Sequence, residues 1–305
     1  MKHLIAPLVA LCLATPAAAW DRMLRSDCQL AFERLANMVA PDEGAKSDVM
    51  TGSIRVTPDG WCQMKGGDPG FETAEFDTFE WRAENVTRWT RDGIPPLAMQ
   101  MRIRGLDPAE MQGGGGASRP ELAVNVTLRQ LPDAGQIIVE NAMVFNDAGD
   151  SLLVSGVFER VFLSSPSMMQ VSIGSATFKA GLMSMTLDGT HENPFGFSAD
   201  VDVQGVPQAQ RDAAFDIISR MPDGVIDDAS RAELTAYAGD LPRPVGTLEV
   251  SVASERGLGL MQVGMSMYLA MDSIIEGEAK NSELDILFDG MTATADWSPA
   301  DDVAD

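Results

Sequence analysis

The sequence predicts an α+β fold, mainly β: a large curved antiparallel sheet, as a meander, roll or partial barrel, with an N-terminal helix and a helical pair inserted at about residues 207–238. Three observations predict it. Between residues 79 and 128, apolar and polar side chains alternate in three separate runs. Turn residues such as Pro132-Asp133-Ala134-Gly135 fall between successive runs. Helical spacing is confined to residues 20–39 and to about 207–238. A two-residue period means a pleated strand with one dry and one wet face, and short loops between successive strands mean antiparallel neighbours.

The first nineteen residues read as an export signal. Lys2 supplies a positive start, residues 4–13 a short apolar run, and Ala17-Ala18-Ala19 a small-residue cleavage site. About ten apolar residues fall short of the roughly 20 that span a bilayer. The expected mature chain starts at Trp20, lies in the periplasm and carries no transmembrane segment. It has 286 of the 305 residues, and its charge moves from −23 to −24 with the loss of Lys2. Such an acidic chain repels phosphate backbones, which argues against nucleic acid as a partner. Apolar residues make up 45%, enough for a packed core. Cys12 lies in the signal. Cys28 and Cys62 remain as a pair in an oxidising compartment, so a Cys28–Cys62 disulfide is expected, tying the first helix to the first hairpin.

A single domain over residues 20–297 is expected, with an acidic tail at 298–305. Residues 20–70 hold the helix and a hairpin turned at Pro58-Asp59-Gly60. On the helix, Met23, Leu24, Leu30, Leu35, Met38 and Val39 form the expected stripe, with Cys28, Ala31 and Phe32 beside it. Residues 71–203 hold antiparallel strands. Phe79, Trp81 and Ala83 form one dry row, then Leu97, Met99, Met101 and Ile103, then Leu122, Val124, Val126 and Leu128. Strands at 137–145, 152–162, 169–178 and 182–187 follow. Gly113-Gly114-Gly115-Gly116 reads as a linker. Residues 204–242 hold the helical pair: one helix is closed by Pro222, and the second opens at Asp227 or Asp228, or at the Ser230/Glu233 capping-box pair. Strands return in 243–297, at 247–254, 260–271 and 283–288.

Methionine lines much of the dry face. Met99 and Met101, Met183 and Met185, and Met261, Met265, Met267 and Met271 are the candidates for an apolar groove. Unbranched thioethers adapt to irregular space. They serve equally in plain core packing, and the Met-x-Met pairs would suit Cu(I). A sheet with so long a dry face must be covered. If it closes completely the interior is a core, and if not, a groove suited to an acyl chain remains.

Catalytic signatures are absent from the sequence. His191, the single histidine of the mature chain, sits in a loop pattern without a Gly-x-Ser-x-Gly elbow. Asp223-Gly224 fails the EF-hand pattern and reads as a helix-linking turn. Walker and dinucleotide fingerprints do not occur. Asn85-Val86-Thr87 and Asn125-Val126-Thr127 fit the glycosylation pattern but lie in strand rhythm. Val171-Ser172-Ile173 and Val250-Ser251-Val252 form a faint internal echo.

The run Ile138-Val139-Glu140-Asn141 through Asp150-Ser151-Leu152-Leu153-Val154-Ser155-Gly156 to Leu163-Ser164-Ser165-Pro166 resembles secreted proteobacterial proteins of unknown function. It is also loosely similar to the strand-rich repeats of AsmA-like envelope proteins. The resemblance spans about residues 75–190 and implies an envelope protein rich in strands. Members of the AsmA-like group typically carry an N-terminal membrane anchor, whereas this chain has a cleavable-type signal, which argues against a bridge-like lipid-transfer role. No functional residue carries over. The expected function is a non-catalytic periplasmic protein without cofactor or metal. It would bind a lipid or other apolar small molecule in a sheet-lined groove for envelope maintenance. The alternative is a structural module with a fully packed core that meets another envelope protein. An enzyme and a Cu(I) binder are the remaining readings.

Overall fold

The structure, a computed structural model, describes residues 20–39, 54–66, 76–107, 120–190, 195, 207–259 and 290–300. Among the described residues ten strands pair in chain order, each antiparallel to the next, in one open sheet. They are β1 (Arg55–Val56), β2 (Cys62–Lys65), β3 (Thr78–Glu84), β4 (Ala98–Leu106), β5 (Leu122–Leu131), β6 (Gln136–Asn146), β7 (Ser151–Glu159), β8 (Thr177–Asp188), β9 (Val245–Gly259) and β10 (Met291–Pro299). Of the expected alternatives this is the meander, with β1 and β10 at the two edges. Register shifts interrupt each pairing from β4–β5 to β8–β9. Bulges of this kind bend strands and increase twist.

Register carries one apolar face across the whole sheet. Phe79, Trp81 and Ala83 stand opposite Ile103, Met101 and Met99, which in turn stand opposite Val124, Val126 and Leu128. Further on, Leu152 meets Met185, Leu248 and then Trp297, while Val154 meets Met183, Val250 and then Ala295. Directly paired residues share a face, so the alternations read from the sequence fall into one phase. The opposite face is polar: Arg82 donates to the Gln100 side chain at 2.7 Å, and Gln100 donates to Thr127 at 3.2 Å.

Five α-helices accompany the sheet among the described residues: α1 (Arg25–Val39), α2 (Val86–Asp92), α3 (Pro166–Ser175), α4 (Pro207–Arg220) and α5 (Asp228–Asp240). The main core lies where α1 and α2 cover β2–β4. Cys28, Ala31 and Phe32 of α1 pack on Trp81, Phe79 and Met64. The Cys28–Cys62 disulfide ties α1 to the first hairpin, as expected. The buried stripe is Cys28, Ala31, Phe32 and Leu35, at helical spacing. Leu24 precedes the helix and, like Leu30, faces solvent, which moves the stripe away from its expected line.

At the far edge α5 packs on β10. Tyr237 meets Trp297 edge-on with ring centres 5.2 Å apart, and Trp297 Nε1 donates to Asp240 at 2.9 Å. Burial pushes the Tyr237 hydroxyl pKa up. Between these two covered ends the apolar face is more open, and Val154 keeps 39% of its surface exposed.

Several expectations need correction. Residues 169–178 do not form a strand: α3 runs to Ser175 and only Thr177 and Phe178 join β8. Ser165 accepts the Met168 N–H and Pro166 occupies the first turn, and this start signal outweighs the alternation of Met169, Val171 and Ile173. Of the echo, Val171-Ser172-Ile173 therefore lies in a helix and Val250-Ser251-Val252 in a strand. Asn85 is not in a strand but at the start of α2, in left-handed backbone with φ 59°. The second inserted helix opens at Asp227, whose side chain accepts the Ser230 N–H. Met291–Pro299 is a further strand, outside those expected from the sequence, and it extends through Ser298 and Pro299 past the expected boundary at 297. The signal segment 1–19 and the expected strands at 260–271 and 283–288 lie outside the described residues.

Candidate functional site

A cleft opens on the apolar face where α1, α2 and the 93–97 connection meet β4–β6. Its geometry starts at the end of β3. The chain turns at Asn85, and the side chain of Asp21 accepts the Val86 N–H at 2.7 Å, satisfying the first turn of α2 from 65 residues away. Gly93, with φ 69°, ends α2 in the left-handed backbone that glycine adopts without strain. Pro95 and Pro96 then hold the connection extended. Leu97 is fastened at both sides: its N–H bonds the Glu84 carbonyl at 3.0 Å, and its carbonyl accepts the Gln130 N–H at 2.7 Å.

The cleft has a volume of about 230 Å³. Leu35, Trp89, Pro95 and Pro96 form one wall. Met99, Met101, Leu128 and Ile137 form the sheet wall, with Leu163 at the side. Arg129 also borders it, but its guanidinium belongs to the polar face, where it is bonded to Glu140 and, at 3.3 Å, to Glu84. Burial works against that charge; the bond to Glu140 and the two carboxylate charges outweigh it and hold the Arg129 pKa above its ordinary value.

Gln130 is the exception in this lining. It follows Leu122, Val124, Val126 and Leu128 in the dry phase of β5, opposite Ile137. The residue is 6% exposed, and neither its side-chain oxygen nor its side-chain nitrogen has a hydrogen-bond partner. Burying an amide without partners costs on the order of 1–3 kcal/mol, and folded proteins satisfy nearly all such groups. The cleft is thus an apolar site, and the unpartnered Gln130 amide lies buried beside it without accessible surface.

The predicted groove residues divide. Met99 and Met101 line the cleft together. Met183 and Met185 share the same face but lie on β8, four strands away, where Met185 packs near Leu122, Leu187 and Phe195. Met261, Met265, Met267 and Met271, and His191, lie outside the described residues. Sequence reasoning missed Gln130, Trp89 and the two prolines. The signal for Gln130 was present: it is a polar residue in the apolar phase of a strict alternation.

A second cluster lies on the polar face. The Arg82 guanidinium sits over Trp20 at 4.5 Å and Trp61 at 4.4 Å, and Arg102 sits over the same Trp61 ring at 4.0 Å. Burial, then the neighbouring Arg102 charge, lowers the Arg82 pKa. The exposed Asp59 carboxyl is also lowered, first by its bond from Thr57 and less by the two arginines. This stack pins Trp20 to the sheet. Among the described residues no group of three or more His, Cys, Asp or Glu side chains is placed to hold a metal ion, and no helix is long and apolar enough to cross a membrane. No family model, curated protein or solved structure matches the chain.

Proposed function

We propose that this chain is an exported, non-catalytic binding protein that holds a small apolar ligand, or the apolar end of a larger one, in the cleft beside Trp89. One observation carries the reading: the apolar face of the sheet is left open between the helices and Ile137, and the opening is walled almost entirely by carbon and sulfur. An apolar cavity of about 150 Å³ is enough to take up benzene, so 230 Å³ admits a somewhat larger ring or a short acyl segment. Rigid walls favour uptake. The disulfide fixes α1, and the two prolines limit the motion of the connection.

Periplasmic placement is part of the proposal. Its supports are the leader-like composition of residues 1–19 and a disulfide of the kind that persists in oxidising compartments. Use as an envelope interaction module through an unpaired sheet edge has less behind it. β1 is two residues long, and Ile226 bridges Ala293 on the outer side of β10.

Titration of the mature chain with N-phenyl-1-naphthylamine, a neutral apolar fluorophore, tests the cleft. One saturable site per chain is expected, lost in Ile137→Trp, which fills the opening, with thermal unfolding still cooperative. Lack of saturable uptake, or unchanged uptake in that variant, defeats the proposal. Sequencing of the protein recovered from the periplasm tests the address: the expected first residues are Trp20-Asp21-Arg22.

A further inference from the structure

We infer that the end of the sheet where β5 turns into β6 and α3 links β7 to β8 docks on a bilayer of neutral, zwitterionic lipid, with Leu131, Phe162, Met168 and Val171 as the side chains that enter it. Register places the two connections side by side. Leu131 pairs with Gln136, Gln136 with Glu159, and Glu159 with Thr177, so residues 132–135 and 160–176 leave the sheet from one row. The Val161 N–H bonds the Gly135 carbonyl at 2.8 Å, and the Phe162 ring lies so close to Gly135 that a Cβ there would come within 2.5 Å of it. The buried Ser172 hydroxyl accepts the Phe162 N–H at 2.7 Å and ties that residue to α3.

Exposure and charge single this end out. Among the described residues ten large apolar side chains are exposed, and four of them meet here: Leu131 at 37%, Phe162 at 39%, Met168 at 36% and Val171 at 60%. Single exposed apolar residues are ordinary, whereas a cluster marks a surface that something apolar covers. Residues 161–178 hold no Asp, Glu, Lys or Arg in a chain of which 22% is charged, and Arg160 and Lys179 bound the run. Cations at both ends of an uncharged run suit a headgroup layer, which their long stems reach while the run lies deeper. Protein interfaces are anchored by Trp, Tyr and Arg, and residues 161–178 contain none of these. The lipid must be neutral. Glu255 and Arg256 adjoin Lys179, whose ammonium donates to the Glu255 carbonyl. Arg160, Lys179 and Arg256 are thus offset by Asp133, Glu159 and Glu255, and the whole chain, at −23, is repelled by an anionic surface. Leu163, in the same connection, lines the cleft, so docking brings the cleft beside the lipid. The inference does not depend on the cleft holding a ligand.

Flotation of the mature, disulfide-bonded chain with small phosphatidylcholine vesicles tests the inference. The chain is expected to float with them, and about 0.5 M salt should leave binding within about twofold, because apolar burial drives it. Replacing about 30 mol% of the lipid by phosphatidylglycerol should weaken binding. Met168→Asp/Val171→Asp is expected to lower partitioning about tenfold or more, and the uncharged Met168→Ser/Val171→Ser about threefold. Leu24→Asp/Leu30→Asp adds the same two charges at other exposed apolar residues and should change nothing. Ile137→Trp should float like the unaltered chain, which separates docking from uptake into the cleft. Absence of the unaltered chain from the neutral vesicles overturns the inference, as does tighter binding to the anionic ones. Flotation that persists in both Met168/Val171 variants, or that falls equally in the Leu24/Leu30 variant, overturns it too. Self-association abolished by the Met168/Val171 changes, with no lipid bound, assigns the surface to a second copy and overturns the lipid.

Discussion

The Asp21 carboxylate accepts the backbone N–H of Val86 at 2.7 Å and so caps a helix that begins 65 residues later. Asn85, the residue in the usual capping position, makes no such bond because its backbone is left-handed. Asp21 itself is held by its N–H to the Ala83 carbonyl, and its neighbour Trp20 lies on Arg82. The first described residues therefore brace α2, whose Trp89 walls the cleft.

Asp21→Ala is expected to destabilise the fold by about 1 kcal/mol, within the range for loss of a helix cap. Asp21→Asn keeps an acceptor oxygen and should recover most of that loss. Urea unfolding of the two variants checks the ordering; equal losses for Ala and Asn would show that the cap does not carry the effect.

Much of the sheet was legible because its faces are chemically unequal. Phe79, Trp81 and Ala83 alternate with charged residues, and Met99, Met101 and Ile103 alternate with Ala98, Gln100, Arg102 and Arg104. The burial of the first row, and the register that brings the second opposite it, follow from that inequality. β10 was not legible for the converse reason: Ala293 and Ala295 give its dry phase too little apolar weight against Thr292 and Thr294. α3 carries a two-residue rhythm that mimics a strand, while its true start signal lies in Ser165-Pro166. Part of the sheet wall of the cleft, Met99 and Met101, could be named from rhythm alone. Its other wall depends on where α2 and the two prolines fold back, and that depends on the Asp21–Val86 bond, which no local pattern encodes.

The disulfide closes a loop between residues 34 positions apart. A constraint of that span on the unfolded chain is worth about 3–4 kcal/mol in the chain-entropy account. The double variant Cys28→Ala/Cys62→Ala is expected to lose stability on that scale, read from guanidinium unfolding under identical buffer. Because Leu35 of α1 borders the cleft, uptake of the neutral fluorophore should weaken as well.

Acid should loosen the helical pair through Asp227. Its carboxyl lies below the ordinary value of 3.8, first through the bond from the Ser230 backbone and then through the Ser230 side chain. The folded form thus holds the proton less tightly than the unfolded one. The stabilisation is complete above the ordinary value and is lost as the pH falls toward and through the depressed one. The group is exposed, so solvent screening keeps the effect modest. Asp227→Asn retains the capping oxygen and cannot titrate. Far-UV circular dichroism, followed from about pH 5 to about pH 2, should show a smaller acid shift in that variant. An identical acid profile would place the sensitivity elsewhere.

Gln130 should cost the empty protein stability that an apolar residue would return. Its two idle polar atoms are desolvated without compensation, so Gln130→Leu or Gln130→Met in the absence of ligand is expected to stabilise the fold by about 1 kcal/mol. For a chain of this size that corresponds to a rise in Tm of roughly 2–4 °C. Leucine is branched where glutamine is not, and methionine follows the same unbranched path, so methionine should give the larger gain if packing against Leu128 and Ile137 limits the site. Calorimetric melting of ligand-free samples decides the matter. A loss of stability in both variants would show that the amide is satisfied in the folded protein and that its burial is ordinary structure.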